Sequence, residues 1–206
     1  MTVIDTNTNC INGLTTLRKH NVTAVGRYYR VKHPSWRITK AEAQMLSGAG
    51  IKIFTVYEDS GSGLALTEQQ GASDATNAVQ QAVGIGQPHG SAIYFAVEGL
   101  PHGYKKSDLP AIRKYFSGVH SVVGTKFKLG VYSDGIVCKT LLDEGICAYT
   151  WLSASTSFEG SKEFYKSGRW SLFQQVPTDL DWDGLSVDTN EAKSDFGAFV
   201  VPTAPA

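Results

Sequence analysis

Short apolar runs alternate along this chain with segments whose apolar residues recur every three or four positions. The first kind of segment predicts β-strands, and the second predicts amphipathic α-helices. Clusters of glycine, proline and serine separate many of them, as turns require. The predicted strands cover residues 2–6, 24–30, 51–58, 91–98, 127–133, 147–153, 170–176 and 185–189.

Helices are predicted between these strands. Thr39 and Glu42 form a capping box at the start of one helix. Ser107 caps another helix, which carries Pro110 in its first turn, where proline is tolerated. The predicted helices cover residues 11–20, 39–47, 67–84, 107–123, 135–142 and 159–167, and a weak terminal helix is predicted from residue 191.

The regular alternation of strand and helix predicts an α/β fold with a parallel sheet. Eight strands within roughly 190 residues suit a single (β/α)8 TIM-like barrel whose last helices are reduced. We expect the barrel to span residues 1–200 and a disordered tail to cover residues 201–206. A doubly wound open sheet is the alternative fold, although no glycine-rich phosphate-binding motif follows any strand.

Charge and hydropathy narrow the function classes. The chain has 206 residues, of which 42% are hydrophobic, and its 19 basic side chains balance 19 acidic ones. Because the formal net charge is zero, no basic field would attract nucleic acid or an anionic membrane. No apolar stretch is long enough to predict a membrane span. The first residues do not resemble a signal peptide, which leaves either a cytosolic protein or export by a non-classical route.

The cysteines predict no special chemistry. Cys10, Cys138 and Cys147 are neither a disulfide framework nor spaced as zinc ligands. Cys138 and Cys147 flank a predicted helix and could pair, but buried free thiols are the favoured interpretation.

A single carboxylate ends the strand at residues 91–98. The run is bounded by Gly90 and Gly99, and its uninterrupted apolar character predicts burial on both faces. Glu98 then lies at the carboxyl end of a parallel strand, where α/β folds place their active sites. Glu98 is therefore the leading catalytic candidate, and a strand cap or an ion-pair partner of an arginine is the alternative.

Polar and aromatic residues also end the other predicted strands. In a barrel they converge on one face, and carboxylates among aromatic rings are typical of a carbohydrate site. Two opposed carboxylates could divide glycoside cleavage between an acid and a nucleophile or base. The converging residues are Asp5, Tyr28, Tyr57, Glu58, Glu98, Asp134, Trp151, Gln174 and Asp188.

Several of these residues also have a purely structural interpretation. Asp5 suits a helix N-cap, and Asp134, which precedes a glycine, suits a turn. Glu58 could pair with a basic neighbour, and Trp151 could belong to the core. Tyr132 is predicted to pack inside the barrel.

The order of these motifs resembles the family 25 lysozyme superfamily. The chain is more closely similar to a bacterial glycoside-hydrolase-like domain of unknown function, family 1906. The resemblance covers roughly residues 3–199. The motifs that carry it are VIDTN at 3–7, FTVYE at 54–58, IYFAVE at 93–98, GVYSD at 130–134, TWLS at 150–153, FQQV at 173–176 and SVDTN at 186–190.

The resemblance assigns roles to three carboxylates. Glu98 falls on the general acid of those lysozymes, Asp5 on their first-strand aspartate and Asp188 on the aspartate of their last strand. One position departs from the pattern, because the aspartate two residues before the lysozyme glutamate is Ala96 here. Glu58 could supply a second carboxylate from the neighbouring strand, which is an inference from barrel geometry alone.

The resemblance implies a muramidase-type hydrolase that cleaves the glycan strand of peptidoglycan. Glu98 would be the acid, Asp5 or Glu58 the second carboxylate, and Asp188 an orienting group, with no metal or organic cofactor. The expected substrate-binding residues are Tyr28, Tyr57, Asp134, Trp151 and Gln174. The protein would reach the cell wall or periplasm as a phage lysin, a module of a longer wall hydrolase, or a toxin partnered by secretion machinery and an immunity protein.

Two other functions stay open at this point. Ala96 favours a non-catalytic barrel that binds cell-wall glycan without cleaving it. An enzyme that acts on another polysaccharide, such as chitin, is a weaker third hypothesis.

Overall fold

The computed structural model describes residues 1–60 and 63–202. The strands are β1 (Thr2–Asp5), β2 (Val22–Tyr29), β3 (Lys52–Tyr57), β4 (Ala92–Ala96), β5 (Lys128–Ser133), β6 (Tyr149–Leu152), β7 (Leu172–Gln174), β8 (Leu180–Trp182) and β9 (Leu185–Ala192). The helices are α1 (Leu14–Lys19), α2 (Lys40–Gly48), α3 (Glu68–Ile85), α4 (Leu109–Val123), α5 (Gly135–Asp143) and α6 (Ser161–Ser167), with short 3₁₀ turns at Pro34–Trp36 and Lys106–Asp108. Among the described residues, no helix is both long and apolar enough to cross a membrane.

The sheet closes into a barrel. The strands from β1 to β7 are neighbours in sequence order and run parallel. β9 then lies between β7 and β1 and is antiparallel to both. The predicted α/β barrel is confirmed, and the pairing of β1 with β9 excludes an open doubly wound sheet.

The last strand differs from the prediction in direction and in length. Because β8 and β9 form a hairpin, β9 enters the barrel against the direction of its neighbours. β8 lies between the predicted strands at 170–176 and 185–189, and β9 continues to Ala192, where a weak terminal helix was predicted. Asn190 pairs with both Val3 and Gln174, so backbone hydrogen bonds on two sides outweigh the local preference.

Aromatic side chains fill the barrel below its rim. The Phe54 and Trp151 rings meet edge to face at a centroid distance of 5.2 Å. Glycines on other strands make room for them: a Cβ on Gly26 would lie 2.5 Å from the Phe54 ring, and one on Gly130 would lie 2.5 Å from the Tyr94 ring. The interior is therefore a packed core, which leaves the polar chemistry to the rim.

The carboxyl-terminal segment covers the opposite end of the barrel. The Phe196 ring is buried, and the backbone carbonyl of Phe196 accepts a hydrogen bond of 2.9 Å from the Tyr94 hydroxyl. Phe199 exchanges backbone hydrogen bonds of 2.7 and 2.8 Å with β3. Val201 is buried and its amide donates to Ser47 Oγ at 2.9 Å, so ordered contacts extend past residue 200. Positions 203–206 of the predicted tail lie outside the described residues.

A fully buried ion pair holds the loop that follows β1. Arg27 Nε lies 2.7 Å from Glu42 Oε1, which also accepts a 2.8 Å hydrogen bond from the Cys10 amide. The same guanidinium donates to the Thr6 carbonyl. Since a buried charge is costly without partners, this network fixes the chain beyond Asp5 in one arrangement.

The cysteines are buried thiols, as predicted. Cys10, Cys138 and Cys147 form no disulfide in the described chain. Burial raises the pKa of Cys10 to about 12 and raises that of the other two thiols as well. All three stay protonated near neutral pH and behave as small apolar core residues.

α3 and α4 cross outside the barrel with their backbones in direct contact. A Cβ on Gly71 would lie 1.9 Å from the Tyr115 carbonyl oxygen, and one on Gly118 would lie 1.9 Å from that of Glu68. Only glycine fits such a close approach. The Tyr115 hydroxyl also donates to the buried Asp74 at 2.9 Å, which ties the two helices together behind β3 and β4.

We expect Gly71→Ala to lower the free energy of unfolding by about 1–3 kcal/mol, because the added methyl group forces the helices apart. Gly84→Ala is the matched control on α3, since a Cβ there meets nothing within 4 Å. Replacing that helical glycine should stabilise the protein by about 0.5–1 kcal/mol. Urea unfolding followed by circular dichroism measures both, and equal effects would contradict the close crossing.

Candidate active site

Polar side chains line the barrel rim at the carboxyl ends of β1 to β7. Because β9 runs the other way, it reaches this rim before its carboxyl end, at Asp188 and Asn190. Side chains alternate between the two faces of a strand. A rim residue that follows a barrel-interior residue by two positions therefore also points inward. The inward-facing rim residues are Asp5, Tyr28, Glu58, Glu98, Tyr132, Gln174, Asp188 and Asn190.

Asp5 is held from below by an amide. Asn190 Nδ2 donates to Asp5 Oδ2 at 2.7 Å, and Trp151 Nε1 donates to Asn190 Oδ1 at 2.8 Å. The indole therefore fixes which way the amide faces. Burial raises the pKa of Asp5 well above its usual range, and the nearby Asp188 charge adds to the rise.

Asp188 lies in the same rim on the neighbouring strand. It accepts hydrogen bonds from Gln174 Nε2 at 2.8 Å and from the Asp179 amide at 2.6 Å. Gln174 Oε1 in turn accepts from the Tyr132 hydroxyl at 2.8 Å. Partial burial raises the pKa of Asp188, and these donors oppose the rise.

Glu98 is a partly buried carboxyl with a raised pKa. Burial is the main cause that raises its pKa to about 7, and the charge of Glu58 is the second. Tyr132 and Arg30 oppose the rise. The Tyr132 hydroxyl has one proton, and it donates this proton in a hydrogen bond to Gln174 Oε1. Tyr132 therefore has little capacity to stabilise the Glu98 carboxylate by a second hydrogen bond.

Arg30 gives Glu58 a different environment. Arg30 Nη1 lies 3.6 Å from Glu58 Oε1, and this positive charge opposes the rise in pKa that burial causes at Glu58. The guanidinium is itself buried, and its carbon lies 4.5 Å from the centre of the Trp36 ring. Within the described chain its Nε and Nη1 atoms have no hydrogen-bond partner, and Nε lies 4.0 Å from Asp59 Oδ1 in a second ion pair. The Arg30 charge therefore favours the ionised form of Glu58, whereas burial and the Glu58 charge favour the neutral form of Glu98.

Three cavities open along this rim. The side cavity, of about 260 Å³, is bounded by Glu98, Leu100, Tyr104, Asp134 and Phe158. The aspartate cavity, of about 80 Å³, is lined mainly by polar groups: Asp5, Thr6, Asn7, Tyr28, Asp179, Ser186 and Asp188, with Val187. The inner cavity, of about 10 Å³, is lined by Tyr57, Glu58, Asp59, Ser60, Leu64, Asp74, Ala96, Glu98 and Tyr115. Glu98 borders both the side cavity and the inner cavity.

Two predicted substrate-binding residues do not face the open rim. Tyr57 points towards the helices, where its ring lies 6.1 Å from that of Phe95 and its hydroxyl meets Asn77 at 3.4 Å. The prediction placed Tyr57 and Glu58 at the same end of the barrel. Neighbouring residues of a strand point to opposite faces, so Glu58 alone of these two points into the barrel. Trp151 is 2% exposed and lies in the interior below Asp5, so its indole acts through Asn190.

Asp134 lies beside the rim and stabilises the local backbone. It caps α5 by accepting from the Val137 amide at 3.3 Å and also accepts from the Tyr104 amide at 2.7 Å. The predicted turn role and the predicted approach to substrate both fit this position, since the carboxylate also borders the side cavity.

The structure adds Tyr132, Asn190 and Arg30 to the candidate residues. The GVYSD and SVDTN motifs contain the first two, and period-two counting from Asp188 would have turned Asn190 inward. Arg30 follows β2 and reaches Glu58 across the sheet, which only the barrel register reveals. Across the described residues, no group of three or more His, Cys, Asp or Glu side chains is placed to hold a metal ion.

Comparisons with known proteins agree with this architecture. The family model described as "Rv2525c-like, glycoside hydrolase-like domain" matches residues 15–194. The uncharacterised protein YbfG of Bacillus subtilis (strain 168) is 30% identical in an alignment of 175 residues, and the match covers 77% of this chain. The chain spans 24% of the length of that relative, and 29% of a second B. subtilis relative, FadG.

Solved structures share the fold. The Tat-secreted protein Rv2525c of Mycobacterium tuberculosis, crystallised with L-tartrate, superposes with a TM-score of 0.79 at 23% identity, covering 96% of this chain and 98% of that one. The modular autolysin LytC of Streptococcus pneumoniae, in complex with a synthetic peptidoglycan ligand, gives a TM-score of 0.59 at 15% identity. That match covers 92% of this chain and 46% of LytC.

The raised pKa of Glu98 predicts a stability cost that depends on pH. The folded protein holds this proton up to about pH 7, whereas an unfolded glutamate releases it near its ordinary value of 4.5. Stability is therefore lost as pH rises between these values. We expect Glu98→Gln to raise the free energy of unfolding by about 2 kcal/mol at pH 8 and to change it little at pH 4.

Urea unfolding at both pH values measures this difference. Glu163→Gln, on an exposed residue of α6, is the control and should stay within about 0.5 kcal/mol of the parent at either pH. A Glu98→Gln effect of equal size at pH 4 and pH 8 would contradict the raised pKa.

Proposed function

Since the chain belongs to the family of Rv2525c-like, glycoside hydrolase-like domains, we propose that it hydrolyses the glycan strand of peptidoglycan. The observation that carries the proposal is Glu98, a carboxyl with a pKa of about 7 at the rim of the barrel, beside a cavity of about 260 Å³. A glycosidase needs such a group, because its general acid must hold a proton at neutral pH.

The autolysin LytC supports the choice of substrate. That protein shares the fold and was solved with a synthetic peptidoglycan ligand. In the present chain the rim offers carboxylates and amides for sugar hydroxyl groups and offers Tyr28, Tyr104 and Phe158 for the apolar faces of sugar rings.

The proposed chemistry uses side chains alone. Glu98 gives its proton to the glycosidic oxygen as the bond to the anomeric carbon breaks. A carboxylate, Glu58 or Asp5, assists at the other side of that carbon, and Asp188 orients the sugar in the aspartate cavity. Asp134 and Gln174 are proposed to contact the sugar at the rim, whereas Trp151 acts by orienting Asn190.

The setting of the reaction is also a proposal. Rv2525c is a Tat-secreted protein, and this supports an extracytoplasmic role for the present protein. Delivery as a lysin, as a wall-hydrolase module or as a toxin with an immunity protein stays a prediction. The toxin role has no support from the relatives compared above.

A non-catalytic glycan-binding barrel is the second candidate. The observation that favours it is Ala96, which stands where the resembling lysozymes carry an aspartate. Such a barrel would bind glycan in the same cavities but would not cleave it.

We expect the parent protein to release soluble muropeptides from purified peptidoglycan, with activity falling as pH rises through about 7. Glu98→Gln should lower the rate by about 10²–10⁴-fold, because it removes the proton donor. Mass spectrometry of the products identifies the new reducing end, and N-acetylmuramic acid at that end indicates a muramidase.

Glu163→Gln is the control for the same chemical change on an exposed residue and should keep parental activity. A parent that binds the wall and releases nothing would refute hydrolysis and support the binding barrel. If the parent cleaves chitin but not peptidoglycan, Glu98 stays the proposed acid and the proposed substrate is wrong.

A further inference from the structure

We propose that the inner cavity between Glu58 and Glu98 holds the attacking water and that Ala96 is the residue that keeps this space open. Glu58 then acts as the general base, and cleavage inverts the configuration of the anomeric carbon. This inference rests on the glycosidase function proposed above. Under this proposal the alanine at position 96 serves catalysis and does not mark the loss of a catalytic aspartate.

The size of the inner cavity matches its proposed occupant. Its volume of about 10 Å³ suits about one water molecule. A buried water also needs two to four polar partners, and the carboxyl groups of Glu58, Asp59, Asp74 and Glu98 border this space. The cavity is therefore small and polar, which is the combination that favours an ordered water over an empty void.

Glu58 is the bordering carboxylate best placed to take a proton. Asp59 Oδ1 already accepts hydrogen bonds from the Val31 and Lys32 amides at 3.0 and 2.7 Å. Asp74 accepts from Gln70 and Tyr115 at 2.8 and 2.9 Å. Among residues 1–60 and 63–202, Glu58 accepts no hydrogen bond and has the Arg30 ion pair at 3.6 Å, so its carboxylate can bind the water.

Asp5 is a poorer base for this water. It does not border the inner cavity, and its carboxyl is almost fully buried with Asn190 as donor. Burial raises the pKa of Asp5, as it does that of Glu58, but the positive charge of Arg30 opposes the rise at Glu58.

The position of Ala96 explains why the space exists. Ala96 lies two residues before Glu98 on the same strand face, with its side chain 8% exposed at the border of the inner cavity. A valine there would add two methyl groups at the border of a space that suits about one water molecule. A side chain larger than alanine at position 96 would therefore exclude the water.

The reaction balances as a single displacement. The water oxygen forms a bond to the anomeric carbon while its proton passes to the Glu58 carboxylate. The bond from that carbon to the glycosidic oxygen breaks, and Glu98 gives its proton to this leaving oxygen. Exchange with solvent then returns Glu58 to the charged form and Glu98 to the neutral form.

Product stereochemistry tests the proposal on the parent protein. Proton NMR during cleavage of a soluble peptidoglycan oligosaccharide shows which anomer forms before mutarotation. The α-anomer, released from the β-linked strand, supports a single displacement by water. First formation of the β-anomer would overturn the inference and leave the hydrolase function standing, whereas a parent that cleaves nothing would remove both.

Substitutions at position 96 test the space itself. Ala96→Val should lower kcat by about 10²-fold or more with little change in KM, because the sugar still binds and the water does not. Ala148→Val is the matched control, since it adds the same two methyl groups at an exposed residue just before β6, and it should stay within about threefold of the parent. Thermal unfolding of each variant checks that the fold is kept.

A folded Ala96→Val variant with parental kcat would contradict the role of this space. Glu58→Ala gives an independent check, because azide, a small anion that needs no base, should restore turnover and yield the α-glycosyl azide. Azide would give the same α-product if Glu58 were a nucleophile, so the anomer released by the parent protein separates these two roles. Loss of turnover that azide does not restore would contradict a role of Glu58 at the anomeric carbon.

Discussion

The direction of β9 is the constraint on which the candidate site depends. This strand closes the barrel by pairing with β7 and β1, and it runs against both of them. It therefore reaches the same rim as the carboxyl ends of the other strands before its own carboxyl end. The register places Asp188 opposite Asp5 and Asn190 opposite Gln174. A parallel strand of the same sequence would set these polar groups at different heights in the barrel.

Burial supplies the chemistry of the rim and also its cost. Four inward carboxyl groups, Asp5, Glu58, Glu98 and Asp188, have raised pKa values, and loss of hydration is the largest cause at each one. The local partners then separate their roles. An arginine stabilises the charge of Glu58, whereas Glu98 has that charge as a neighbour and holds its proton to about pH 7. These two carboxyl groups, which follow adjacent strands, thus have surroundings that favour opposite charge states.

The layers behind the rim keep this arrangement rigid. Arg27 and Glu42 anchor the loop that follows Asp5 through a fully buried ion pair. Trp151 fills the interior and directs the amide of Asn190 towards Asp5. Outside the barrel, glycines let α3 and α4 cross so closely that Asp74 and Tyr115 meet beside the inner cavity. The rim thus rests on packing contacts that tolerate little displacement.

The sequence by itself determined the barrel and most of the carboxylates on its rim. Apolar runs that alternate with capped helices specify strand and helix locally, and a parallel strand presents its last polar residue at one end of the sheet. Glu98, Asp5 and Glu58 follow from that rule. Tyr57 does not, because a strand residue next to an inward one must point outward.

Only the tertiary structure decided the direction of the last strand and the partners of each carboxyl. A short segment such as residues 185–192 can pair in either direction, and its choice is made by the edges of β1 and β7. The ion pair between Arg30 and Glu58, and the space beside Ala96, likewise arise from distant segments that meet across the sheet. The pKa of a carboxyl depends on those neighbours and on its loss of water, which linear order alone does not specify.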